Sequence, residues 1–171
     1  MNMKSKVIII GGDHHNTLGL VRAFGKESYH VILFVVTANK KSFVAHSKYV
    51  SNCYIVDNEN NVIDILLSEV KDNDVKIPII TASDQSAELL DKHYNELSKH
   101  FKIANCGGEQ GGISKWMNKV RMFDEAKKCG LMQPFSMFVN SKVDFNIDKQ
   151  EIPFPCVVKP SMSSHASKDD F

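Results

Sequence analysis

The sequence predicts an α/β fold, an open, mainly parallel, Rossmann-like sheet followed by the beginning of a second, α+β lobe. Three short runs rich in Val and Ile, at residues 6–10, 29–36 and 76–81, predict strands, and the first has the apolar character of a central strand buried on both faces of a parallel sheet. Segments with helical periodicity lie between these runs, so strands and helices alternate. With 171 residues, 43% of them hydrophobic, the chain has room for one globular domain and part of another.

The first β-α-β unit is expected within residues 6–36. The strand at 6–10 ends in two glycines, and Asn16 is expected to cap the following helix, which ends near Gly25. The apolar stripe of that helix consists of Leu18, Val21 and Phe24. The strand at 29–36 completes the unit within about 30 residues, the usual size of a right-handed crossover.

Three more strands and two helices are expected before residue 106. A short strand at 54–56 precedes a helix that Asn60 or Asn61 can cap, and the next strand is at 76–81. A long amphipathic helix follows, with an apolar stripe at helical spacing. The stripe is formed by Ala87, Leu90, Tyr94, Leu97 and Phe101. A short strand at 102–104 closes this part.

Four glycines within residues 107–112 predict a boundary, because so many glycines interrupt regular structure. Residues 1–106 are therefore expected to form one α/β domain, and residues 107–171 the incomplete start of a second unit. In that unit we expect a helix at 118–129 and strands at 135–139 and 155–159.

The composition argues against several classes of protein. Twenty-one basic residues face 20 acidic ones, so no net field favours a nucleic acid or an anionic membrane surface. No apolar run approaches the roughly 20 residues that span a bilayer. The four cysteines form no CxxC pair, which predicts a reduced, cytoplasmic chain with buried thiols. No histidine pair has metal-ligand spacing, so we predict no metal ligands.

Polar residues follow two of the predicted strands, where open α/β sheets bind ligands. Asp13 follows Gly11 and Gly12, but the spacing to the next glycine excludes a G-x-G-x-x-G cradle. Ser83 and Asp84 follow the strand at 76–81. They can cap the next helix, border a substrate crevice, or do both.

Two lysines are candidates for phosphate binding. Lys159 ends the apolar run 155–159, where it is either a solvated lysine on an edge strand or a fixed ammonium directed at phosphate oxygens. Lys119 lies near a helix start, which favours anions, although a solvated lysine is the simpler interpretation. A serine-rich segment with Ser163 and Ser164 follows Lys159 and could fold over a phosphate.

In the second unit, the turn at 130–134 reads Gly-Leu-Met-Gln-Pro and the run at 155–160 reads Pro-Cys-Val-Val-Lys-Pro. These two segments resemble motifs of the ATP-grasp superfamily of ATP-dependent ligases. The segments at 11–25, 46–58 and 81–101 are similar to the pre-ATP-grasp domain of carboxylate–amine ligases, in particular the D-aspartate-ligase-like and carbamoyl-phosphate-synthase-like members.

The resemblance implies a function for the complete protein. ATP and Mg²⁺ would activate a small carboxylate as an acyl phosphate, which an amine then attacks. It assigns phosphate contacts to Lys119, Lys159, Ser163, Ser164 and Lys168. The residues that would border the substrate crevice are Asp13, Ser83 and Asp84.

The sequence departs from this family in two respects. Residues 163–168 contain no glycine, where the family has a glycine-rich loop. The metal-binding acidic residues of the family lie beyond the equivalent of Phe171, so we expect this chain alone to be inactive and assign it no catalytic residue. Whether it is itself an enzyme is left open, as is its oligomeric state, a homodimer included.

The sequence leaves two alternative functions open. A phosphorelay receiver is also a doubly wound α/β domain, and Asp57, Thr81 and Lys102 imitate its aspartate, threonine and lysine. Against it, Asp13 stands alone where an acidic pair would hold Mg²⁺. The other alternative is a binding module without catalytic activity.

Overall fold

A computed structural model of the chain describes residues 5–68, 75–139 and 152–159. Contacts divide the chain into two compact units, Met1–Ser114 and Lys115–Phe171. The predicted assignment of residues 1–106 and 107–171 to two different domains stays a prediction. The strands are β1 (Lys6–Gly12), β2 (His30–Val36), β3 (Val50–Val56), β4 (Ile77–Thr81) and β5 (Phe101–Ile103). The helices are α1 (His15–Lys26), α2 (Glu59–Ser68), α3 (Asp84–Lys92), α4 (Tyr94–Leu97), α5 (Gly112–Met117) and α6 (Lys119–Lys128), with a 3₁₀ turn at Val44–His46.

The first unit contains one open sheet with the strand order β3-β2-β1-β4-β5, and every neighbouring pair is parallel. This confirms the predicted α/β, Rossmann-like fold. β1 is central because it pairs on both sides, with Ile8 opposite Ile32 of β2 and Ile79 of β4. Such a strand needs apolar side chains on both faces, as the run of Val7 to Ile10 provides.

The core lies on both faces of the sheet, because successive side chains of a strand point to opposite sides. Ile8 and Ile10 of β1 pack with Phe34 on one face, together with residues of α2 and α3. Val7 and Ile9 pack on the other face with Val21 of α1. Both faces are therefore closed by helices.

The predicted long helix after β4 is wrong in its extent. α3 ends at Lys92, α4 covers only Tyr94–Leu97, and Phe101 belongs to β5. The amide of His93 donates to the Leu90 carbonyl, an i to i−3 bond that tightens the last turn and ends the α-helical ladder. The apolar stripe continues across this break, so periodicity alone does not reveal it.

In the second unit, helix α6 agrees with the prediction, whereas the two predicted strands are not formed. Residues 131–139 and 152–159 have no regular secondary structure. A strand depends on hydrogen bonds to a partner strand, and the described part of this unit contains none. Pro153 and Pro155 further remove amide donors that a ladder would use.

The prediction of buried thiols is also wrong, since all four cysteines are exposed. Cys53 lies on the edge strand β3, and Cys106 precedes the glycine-rich segment. Cys129 follows the last residue of α6, and Cys156 lies in an irregular segment. Among the described helices, none has both the length and the apolar character required to cross a membrane.

Candidate functional site

The candidate site of the first unit is the carboxyl edge of the sheet between β1 and β4. The chain leaves β1 towards β2 on one side and leaves β4 towards β5 on the other, so the strand order reverses between them. Ligands of open α/β sheets bind at such a switch point. Asp13 follows β1, and Ser83 and Asp84 follow β4, so the structure brings all three predicted substrate residues to this edge.

Gly11 allows the turn after β1 to pack closely against its neighbours. A Cβ atom at Gly11 would lie 2.5 Å from Thr17 Oγ1 and 2.7 Å from Ala82 Cβ, well inside van der Waals contact. The Thr17 hydroxyl donates to the Gly12 carbonyl at 2.8 Å, and the Ala82 amide donates to the Ile10 carbonyl at 2.8 Å. The glycine therefore serves close backbone packing at the switch point.

Asp13 is occupied by a structural task. Its carboxylate accepts hydrogen bonds from the Ser42 hydroxyl at 2.6 Å and from the Val44 and Phe43 amides at 3.2 and 3.3 Å. Desolvation by burial raises the pKa of this carboxyl group, but these hydrogen bonds outweigh it, so the pKa of Asp13 is lowered. Asp13 thus anchors the turn after β2 to the end of β1.

Ser83 and Asp84 differ in exposure. The Ser83 hydroxyl accepts from the Ser86 amide at 3.2 Å and caps α3, the simpler of its two predicted roles. Asp84 is the first residue of α3 and its side chain is exposed.

The N-cap of α1 is His14, which accepts from the Asn16 amide, so the expected cap at Asn16 is wrong by two positions.

The two phosphate-binding candidates lie in the second unit. Lys119 is the first residue of α6, half-buried, and follows the N-cap Asn118, whose side chain accepts from the Arg121 amide at 3.1 Å. Lys159 is exposed in an irregular segment, next to Val158, which is 76% exposed. Their convergence on one polyphosphate stays a prediction. Ser163, Ser164 and Lys168 lie outside the described residues.

The strand order excludes the receiver-like constellation. Asp57 follows the edge strand β3, whereas Thr81 ends β4, three positions across the sheet. Strands lie about 4.8 Å apart, which separates these two strands by roughly 14 Å. Lys102 on β5 is one strand further away. The three residues cannot surround one phosphoryl group.

Asp91 is a buried carboxylate that the sequence analysis does not predict as a site residue. It is 1% exposed and accepts from the Ser114 hydroxyl at 2.6 Å and from the Ser114 and Ile113 amides at 2.8 and 3.2 Å. Desolvation raises its pKa, but these hydrogen bonds prevail and the pKa is lowered. One sequence signal could have identified it: Asp91 lies four positions after Ala87, which places it on the apolar face of the helix. It caps α5 and holds the end of the glycine-rich segment.

The sequence of this chain is similar to that of a ligase. Over 166 residues the chain is 27% identical to a D-aspartate ligase from Enterococcus faecium (strain Aus0004). The match covers 91% of this chain and 38% of that ligase, so the chain spans well under half the length of this relative. No protein-family profile matches the chain.

Proposed function

We propose that this chain is the N-terminal part of an ATP-grasp ligase that joins a small carboxylate to an amine. The observation that carries the proposal is the similarity to a D-aspartate ligase along 91% of the chain. The open parallel sheet with its switch point is the setting in which α/β proteins bind small polar ligands, which supports the same conclusion.

In the proposed reaction, a carboxylate oxygen of the substrate attacks the γ-phosphorus of ATP, which gives an acyl phosphate and ADP. The amine nitrogen then attacks the carbonyl carbon, inorganic phosphate leaves, and the amine loses a proton. ATP supplies the phosphoryl group. Lys119 and Lys159 would hold its phosphate oxygens by charge-assisted hydrogen bonds, which lysine ammonium groups form well.

The position of Lys119 supports the proposed phosphate contact. Lys119 begins a ten-residue helix, and the positive end of a helix dipole favours anions at that place. Within residues 5–68, 75–139 and 152–159, no group of three or more His, Cys, Asp or Glu side chains could hold a metal. The proposal therefore assigns no magnesium ligand to these residues.

The carboxylate substrate we propose is D-aspartate, the substrate in the name of the relative. At the switch point, the helix N-termini of α1 and α3 would attract its carboxylates. The exposed carboxylate of Asp84 would accept hydrogen bonds from its ammonium group. Asp13 would act as a positioning residue, because its oxygens already accept from Ser42, Phe43 and Val44.

The test uses the complete ligase, in which formation of ADP is measured at varied ATP concentration with Mg²⁺, D-aspartate and an amine. Lys159→Ala and Lys119→Ala are each expected to weaken ATP binding about ten- to a hundredfold, because a hydrogen bond to a charged group contributes roughly 1.5–3 kcal/mol. Lys159→Arg should rescue only in part, since a planar guanidinium does not replace a compact ammonium.

Lys26→Ala is the matched control, because Lys26 is an exposed lysine at the end of α1. It should leave ATP binding unchanged. ADP formation that does not depend on D-aspartate or another amino acid would contradict the proposed reaction. Unchanged ATP affinity in both Lys159→Ala and Lys119→Ala would contradict the proposed phosphate contacts. The chain of residues 1–171 alone should form no ADP.

A further inference from the structure

A crevice lies in the first unit, away from the switch point. It opens at the carboxyl ends of β2 and β3 and has a volume of about 600 Å³. That volume falls within the range of roughly 300–1,000 Å³ that is usual for small-molecule sites. Its walls are the segment 37–40 after β2, the end of β3, and one side of α2. The proposed ligase function uses none of these residues.

The wall formed by the segment after β2 is fixed at both ends. At its start, the Thr37 amide donates to the Val56 carbonyl at 2.8 Å, and the Thr37 hydroxyl accepts from the Asn39 amide at 3.2 Å. Beyond its end, the Ser42 hydroxyl donates to Asp13. The opposite wall is held where Asn61 Nδ2 donates to Asp57 Oδ1 at 3.2 Å. The crevice is therefore largely formed before any ligand enters.

The crevice presents charges of both signs. Lys40 lies on one wall, while Asp57 and Asp64 lie on the other, and all three side chains are exposed. Among the described residues, the side chains of Lys40 and Asp64 have no hydrogen-bond or ion-pair partner. A ligand could thus pair with them without breaking an existing interaction. Two carboxylates also disfavour a phosphate ligand.

Part of the lining is apolar. Ile55 is 40% exposed although it belongs to a sheet strand, and Ala38 and Ile65 line the same space. Burial of such apolar surface by a ligand favours binding. Separate positive and negative groups beside an aliphatic surface match a zwitterion with an aliphatic side chain. A metal ion would leave Lys40 and the apolar lining unexplained.

We propose that this crevice binds a free α-amino acid with an aliphatic side chain. Asp57 and Asp64 accept hydrogen bonds from the ammonium group, Lys40 donates to the carboxylate, and the side chain covers Ile55. The site is distinct from the switch point and does not depend on the proposed function, so Lys119 and Lys159 have no part in it.

The test titrates the ¹⁵N-labelled chain with L-leucine and follows amide chemical shifts. Saturable shifts are expected in residues 37–40 and 55–65. Asp64→Asn and Lys40→Gln should each weaken L-leucine binding about tenfold, which corresponds to about 1.4 kcal/mol. Glu27→Gln and Lys26→Gln, which remove exposed charges at the end of α1, are the matched controls and should bind as the unmodified chain does.

Two fragments of leucine separate the two charge contacts. Isoamylamine lacks the carboxylate, so its binding should be weakened by Asp64→Asn but not by Lys40→Gln. Isocaproate lacks the ammonium group, so the reverse should hold. The proposal is overturned if L-leucine gives no saturable shifts in these residues, if either variant binds it as tightly as the controls, or if Mg²⁺ or D-aspartate binds this crevice more tightly.

Discussion

Replacement of Asp91 by alanine should destabilise the first unit by about 2–3 kcal/mol. The change removes a buried acceptor of three hydrogen bonds, from the Ile113 amide and from the Ser114 amide and hydroxyl. A hydrogen bond to a charged group contributes roughly 1.5–3 kcal/mol, and loss of a helix cap costs roughly 0.5–2 kcal/mol. The three bonds do not add in full, because alanine also relieves the desolvation of the carboxylate. Asp91→Asn keeps one acceptor oxygen and should cost about 1 kcal/mol.

Urea unfolding measures this loss. Trp116 is the single tryptophan of the chain and belongs to α5, the helix that Asp91 caps, so its fluorescence reports on that helix. Circular dichroism follows the sheet and the other helices. Asp64→Ala is the control, because Asp64 is an exposed aspartate within a helix. If Asp91→Ala unfolds at the same urea concentration as this control, the hydrogen bonds of Asp91 do not stabilise the fold.

The same carboxylate predicts a dependence on pH. The pKa of Asp91 in the folded chain lies below its ordinary value of 3.8. The unfolded chain therefore binds the proton more readily, and the stabilisation is complete above pH 3.8 and is lost as the pH falls through the folded-state pKa. The free energy of unfolding should decrease less steeply on acidification in Asp91→Asn, with Asp13 accounting for part of the remaining slope. An unchanged slope would contradict this assignment.

Two further perturbations test the packing of the turn and the glycine-rich segment. Gly11→Ala should lower the free energy of unfolding by about 1–3 kcal/mol, because the added methyl group overpacks against Thr17. Gly12→Ala is the control and should be tolerated, because the nearest atom to its Cβ would be 3.9 Å away. If the two variants are equally stable in urea, the close approach at Gly11 is refuted. The protease Glu-C should cut the native chain first after Glu109, which is exposed and lies between glycines with positive φ. A first cut after the buried Glu88 would show that the glycine-rich segment is well protected.

Local sequence patterns were sufficient for the first sheet. The apolar run of β1 is buried along nearly its whole length, as is typical of a central strand in a parallel sheet covered by helices. The start of α6 was predictable because Asn118 is a good N-cap. Placement of Asp13, Ser83 and Asp84 at one edge followed from their position directly after strands.

Interactions between distant residues were not predictable in this way. Asp91 and Ser114 are far apart in sequence, and neither residue type indicates the other. The role of Asp13 as an anchor depends equally on Ser42, which follows a different strand. The strands predicted at 135–139 and 155–159 had suitable side chains, but a strand also needs a neighbour, which side-chain type does not report.

The central position of β1 has a consequence for synthesis on the ribosome. Ile8 of β1 pairs with Ile79 of β4, so one side of β1 is unpaired until β4 is synthesised about 70 residues later. At roughly 5–20 residues per second, this delay lasts roughly 4–14 seconds. β2 covers the other side much earlier, within the first β-α-β unit. The strand at the middle of the finished sheet therefore begins as an open, apolar edge, and chaperones that cover such edges should matter most before β4 emerges.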